Sequence, residues 1–180
     1  MSHDCCSPSN NKNSKGGPDK FIIGIIVTTV LIFGIAIFFG TRMGATPQVT
    51  ADAQVSVSID SNKYDWGTID YDKGIVSKNF EIKNTSNTAL KLYNVKTSCM
   101  CTTAQLKTAE GTSKKFGMHE SPTDVIEVKP GETAELIIEY DPAFHGPSGV
   151  GQITRIITMD TNDGKNSTLT FNLTGNVVKK

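Results

Sequence analysis

The sequence predicts an all-β domain, an antiparallel two-sheet sandwich, carried behind one membrane-spanning helix. Three observations carry that reading. Residues 21–40, FIIGIIVTTVLIFGIAIFFG, contain no charge. Beyond about residue 54, several stretches alternate apolar and polar residues, the period of a half-buried strand. Gly, Pro, Asn and Asp then punctuate the chain at short intervals, with no amphipathic helical period between them.

The elements follow in order. Residues 1–20, MSHDCCSPSNNKNSKGGPDK, are polar and aperiodic, and cannot bury enough apolar surface to offset their ordering entropy. They are expected to be a disordered tail, in which His3, Cys5 and Cys6 are solvated groups and not a metal clip. As a helix, residues 21–40 extend about 30 Å, the hydrocarbon thickness of a bilayer. Phe21 and Gly40 are its expected boundaries.

A cleaved signal is the competing reading, prompted by Ala51-Asp52-Ala53. The apolar run exceeds the h-region of a signal peptide, and the alanines lie well beyond its end, so an uncleaved anchor is expected. Lys12, Lys15 and Lys20 precede the helix and only Arg42 follows closely. The basic side stays cytoplasmic, placing the rest of the chain outside the cell membrane. A linker over residues 41–53 then leads to one domain over residues 54–180.

Within that domain, Val55, Val57 and Ile59 share a face, as do Phe80 with Ile82 and Leu90 with Leu92. The clearest strands place Ala134, Leu136, Ile138 and Tyr140 on one face, and Leu169, Phe171 and Leu173 on another. QITRIITM precedes the last strand, with either Ile156 or Ile157 inward, and Asp163-Gly164 marks the hairpin turn between them. Pro130-Gly131 and Asp141-Pro142 bracket the strand that ends at Tyr140. Many short strands with regular turns specify a sandwich of Ig type. Trp66 is expected to anchor packing between its sheets.

The order of certain pieces carries a family likeness: DWGTI at Asp65, NTS at Asn84, SCMCT at Ser98, PGE at Pro130 and a closing LTGNV. Over roughly residues 57–178 the chain resembles the exported bacterial proteins known as domain of unknown function 1573. The resemblance implies an Ig-type sandwich of the ASH/major-sperm-protein kind, and brings no activity. Family members usually carry Gly between the two cysteines, where this chain has Met100. Residues 104–123 read as an enlarged loop bearing Phe116, Met118 and His119.

Cys99 and Cys101 are the chemical feature. In an extended strand their Cα atoms would stand about 6.5–7 Å apart, at the limit for a disulfide, so a bond between them demands a bend. Met100 in place of glycine is expected to make that bend costly. Two thiols on one face can instead hold a soft ion, copper(I), with Met100, Met118, His119 and His145 as further candidates.

With 18 Lys+Arg against 18 Asp+Glu and no basic run, nucleic acid is not an expected partner. No nucleotide-binding, hydrolase or zinc-protease motif is present, so no catalytic residue is assigned and no enzyme is expected, with thiol redox work left open. The sequence reading is a single-pass interaction or scaffolding module of the cell envelope, with the membrane and another envelope protein as partners and no cofactor. Its alternative is a copper(I)-handling or thiol-exchange factor using Cys99 and Cys101.

Overall fold

A computed structural model describes residues 20–40, 48–119 and 124–180. The expected tail, with His3, Cys5 and Cys6, and the linker up to residue 47 fall outside the described residues. The chain divides into two compact units, Met1–Met43 and Gly44–Lys180.

The first unit contains α1 (Lys20–Gly40). Lys20–Phe38 is long and apolar enough to cross a membrane. Its two threonines are satisfied within the helix: Thr28 Oγ1 donates to the Gly24 carbonyl at 2.8 Å, and Thr29 Oγ1 to that of Ile25. A threonine bonded back to its own helix needs neither water nor a partner in an apolar medium.

In the second unit, ten strands are present among the described residues: β1 (Val57–Ile59), β2 (Lys63–Asp70), β3 (Val76–Asn84), β4 (Leu90–Thr97), β5 (Thr102–Thr108), β6 (Gly111–Thr112), β7 (Ile126–Val128), β8 (Thr133–Tyr140), β9 (Gly151–Thr161) and β10 (Thr168–Val178). They form two five-stranded sheets in the orders β1-β3-β8-β5-β6 and β2-β10-β9-β4-β7. The predicted inward positions close the core: Phe80, Ile82, Leu90, Leu92, Ala134, Leu136, Ile138, Leu169, Phe171 and Leu173 are all buried in one cluster. Ile157 is the inward residue of its pair and Ile156 is exposed.

The sandwich departs from the sequence reading in three places. The pairing is antiparallel throughout except between β2 and β10, which run parallel. Glycines permit that contact: Gly67 holds φ +64, and a Cβ on Gly175 would lie 2.7 Å from Ile69 Cδ1, at the bulge between Thr174 and Asn176. The first strand is shorter than expected, with Val55 buried ahead of it. Residues 104–108, expected at the start of a loop, are not in one. Thr102–Thr108 is β5, an inner strand carrying buried Ala104 and Leu106, and Phe116 is fully buried and bridged to Ala104. Polar threonines and one lysine masked the period of two in TTAQLKT.

The β9–β10 hairpin is organised by Asp163, which is buried and accepts hydrogen bonds from the backbone of Val57, Lys165 and Asn166 and from Asn166 Nδ2. Burial alone would raise its carboxyl pKa, but these donors outweigh it and hold it below the ordinary 3.8. A pKa depressed on folding contributes stability that is present above the unfolded value and is lost as pH falls through the folded one. Acid melts of the wild-type chain should therefore lose stability below about pH 4, and Asp163→Asn should flatten that part of the curve. Parallel acid limbs for the two proteins would remove Asp163 from this role.

Candidate functional site

The chain leaves β4 at Thr97, turns through Ser98-Cys99-Met100-Cys101, and enters β5 at Thr102. The turn is closed by the Thr102 amide donating to the Cys99 carbonyl at 3.1 Å. Thr97, nearly buried, donates its hydroxyl to the carbonyls of Cys99 and Thr102, both at 3.0 Å. Ser98 ties the turn to β9 twice, its amide donating to the Ile156 carbonyl and its Oγ accepting from the Ile156 amide, each at 2.9 Å. The Asp141 amide, just beyond β8, donates to the Cys101 carbonyl at 2.9 Å.

This turn joins Cys99 and Cys101 in a disulfide with a Cα separation of 5.3 Å. The required bend is thus present, and it does not place Met100 in the left-handed region that favours glycine. Among the described non-glycine residues only Asn94 has a positive φ, so Met100 sits where any L residue can. Glycine is not required by this backbone.

The two sulfurs have different surroundings. Cys101 is 3% exposed and belongs to a second small core with Ile69, Tyr140, Ile153 and Val177, whereas Cys99 is partly exposed. Arg155 Nε donates to Cys101 Sγ at 3.1 Å, and Thr102 Oγ1 lies 3.6 Å away. Cys99 Sγ faces outward to His145 Nε2 at 3.2 Å and also accepts the Cys101 amide at 3.4 Å. One sulfur has a half-buried cation and the other a solvent-facing imidazole.

Arg155 is held by a ladder of rings. Its guanidinium lies 5.0 Å over the Tyr140 ring, and Tyr140 stacks on Trp66 with centroids 5.7 Å apart. Burial raises the Tyr140 phenol pKa, against the opposing pull of Arg155, so Arg155 faces a neutral ring. Trp66 packs against both core clusters, as its expected anchoring role requires. His145 precedes the 3-10 turn Gly146–Gly149, where Ser148 Oγ donates to its carbonyl at 2.8 Å and Phe144 packs edge-on to its ring.

Of the residues singled out in the sequence, Cys99, Cys101 and His145 come together, with their ligand atoms all within 4.8 Å of one another. Met100 is on the same turn and exposed; His119 is exposed and outside that group. Sequence reasoning missed Arg155, although β9 announces it. Ile153, Ile157 and Met159 point inward, and Arg155 occupies the same register, a charge on the buried face that needs a partner.

No curated protein matches the chain in sequence. A protein of unknown function from Porphyromonas gingivalis W83 is similar in structure, with a TM-score of 0.53 and 22% identity over 72% of this chain and 50% of that one. This chain therefore spans half the length of that neighbour. The ASH/PapD-like domain 7 of human CEP192 gives a TM-score of 0.46 and 15% identity over 76% of this chain and 95% of that one. The two packed five-stranded sheets are themselves an Ig-like sandwich. Residues 57–177 match the family described as Protein of unknown function (DUF1573), and the chain belongs to that family.

Proposed function

We propose that this protein is a membrane-tethered thiol–disulfide exchange module that acts on another protein of the cell envelope. The observation that carries the reading is the unequal pair of sulfurs, Cys99 open beside His145 and Cys101 buried under Arg155. A partner thiolate attacks Cys99 Sγ, the accessible atom. The Cys99–Cys101 bond breaks and its electron pair leaves on Cys101 Sγ, where the guanidinium stabilises the thiolate. A second partner thiol then attacks the partner's own sulfur in the mixed disulfide and releases Cys99, which His145 is placed to protonate. The partner loses two electrons and two protons and becomes a disulfide, and this chain becomes a dithiol.

The interaction role expected from the sequence belongs at the same end of the domain. The exposed large apolar side chains of the domain include Met100, Met118, Phe144, Val150 and Ile156. Met100 lies between the cysteines, Phe144 packs on His145, and Ile156 is hydrogen-bonded to Ser98. Gly117, next to Met118, accepts from Thr97, and Val150 follows the His145 turn. An apolar collar around a reactive sulfur suits a cysteine-bearing protein segment.

The apolar α1 supports anchorage, with residues 1–20 inside and the sandwich outside the membrane. Mass spectrometry of the membrane fraction should find residues 1–20 joined to the mature chain, and a mature start near Gln54 would overturn the tether alone. For the chemistry, the full chain with Cys5 and Cys6 changed to serine should oxidise one equivalent of dithiothreitol while folded. Cys99→Ser or Cys101→Ser should abolish this. A disulfide that resists the dithiol until the protein is denatured would overturn the exchange reading.

A further inference from the structure

We infer that the reduced site is a copper(I) site made by Cys99 Sγ, Cys101 Sγ and His145, and that the disulfide is its closed state. The inference rests on the exchange reading in one respect: the pair must be reducible in the folded protein. Three soft donors already lie within 4.8 Å of one another. Ligand bonds of about 2.0–2.3 Å around one trigonal ion put donors roughly 3.5–4 Å apart, so the group needs little movement beyond separation of the sulfurs.

Charge and coordination number select the ion. Two thiolates with a monovalent ion carry one negative charge, which Arg155 offsets through its hydrogen bond to Cys101 Sγ at 3.1 Å. A divalent ion would leave the site neutral and the guanidinium uncompensated beside it. Zinc also seeks a fourth ligand in structural sites. Among the described residues no other His, Cys, Asp or Glu joins this group. Thiolate and imidazole are ligands suited to copper(I), and the exposed thioether of Met100 stands on the same turn.

The sulfurs cannot serve both states. Reduction by a dithiol adds two electrons and two protons to the disulfide, and copper(I) then displaces the two thiol protons. Oxidation of the pair by a disulfide-bearing partner returns the electrons to that partner and ejects the ion with its oxidation state unchanged. Metal holding is thereby switched by thiol exchange at the same atoms.

Anaerobic titration of the full chain, with Cys5 and Cys6 changed to serine, against copper(I) held by bicinchoninate tests this. One equivalent should pass to the reduced chain and none to the disulfide form. Cys99→Ser should abolish uptake. His145→Gln, a change at an exposed side chain, should weaken it by at least about tenfold while leaving the melting temperature unchanged. A reduced wild-type chain that leaves copper with the competitor, or a His145→Gln chain that holds it as tightly as wild type, overturns the site. Dithiothreitol oxidation without copper uptake overturns this inference alone, whereas a pair that the dithiol cannot reduce overturns both readings.

Discussion

Phe171→Ala should cost the sandwich about 3–5 kcal/mol, the range for removing a buried aromatic ring from a core that relaxes only partly. Phe171 lies in β10, flanked by β2 and β9 on its two sides, and is fully buried. Its ring meets that of Phe80, from β3 in the other sheet, with centroids 5.0 Å apart. The pair therefore spans the layer between the sheets, and the truncation removes both the apolar burial and the aromatic contact. Urea unfolding should show a lower midpoint with an unchanged slope, since the surface exposed on unfolding is nearly the same. A midpoint that does not move would show that Phe171 is not packed as described.

That prediction was available from the sequence because Leu169, Phe171 and Leu173 alternate with Thr and Asn, a period of two that only a strand accommodates. The same pattern identified the inner faces of β3, β4 and β8. It failed where polar residues interrupt it. In β5, Thr102 is buried beside Ala104 and Leu106, so an inner strand resembled the start of a loop. The parallel β2–β10 pair was illegible for a different reason: strand direction across a long sequence separation depends on where the sheets close, and DWGTI and LTGNV show only that glycines are needed there.

The site was legible in its ligands and illegible in its geometry. Spacing alone left Cys99 and Cys101 either in an extended strand or in a bend; the structure makes them neighbours in a turn, because Thr97 and Ser98 fix that turn to its own carbonyls and to β9. His145 is 46 residues from Cys99, and no local pattern connects them. Phe116, expected in a loop with His119, is drawn into the core through its bridge to Ala104, and His119 is left outside the cluster.

Arg155→Met should slow thiol exchange by about ten- to a hundredfold. The substitution keeps an apolar stem beside Tyr140 but removes the charged donor to Cys101 Sγ. A hydrogen bond to a charged group contributes about 1.5–3 kcal/mol, and about 1.4 kcal/mol is tenfold in rate. The loss falls on departure of the Cys101 thiolate, because the guanidinium interacts far more strongly with an anionic sulfur than with a disulfide sulfur. If the proposed exchange holds, Arg155 acts as a positioning and charge-stabilising residue, and its signature is a shift in pH dependence as well as in rate. In the reduced protein, alkylation of Cys101 by iodoacetamide should move to higher pH in Arg155→Met, with Cys99 much less affected. Arg155→Lys should recover part of the rate, since it restores a charge without the planar Nε donor. Equal exchange rates and superimposable alkylation profiles for wild type and Arg155→Met, in proteins of matched stability, would leave Arg155 only a packing role and remove the charge asymmetry between the two sulfurs from the mechanism.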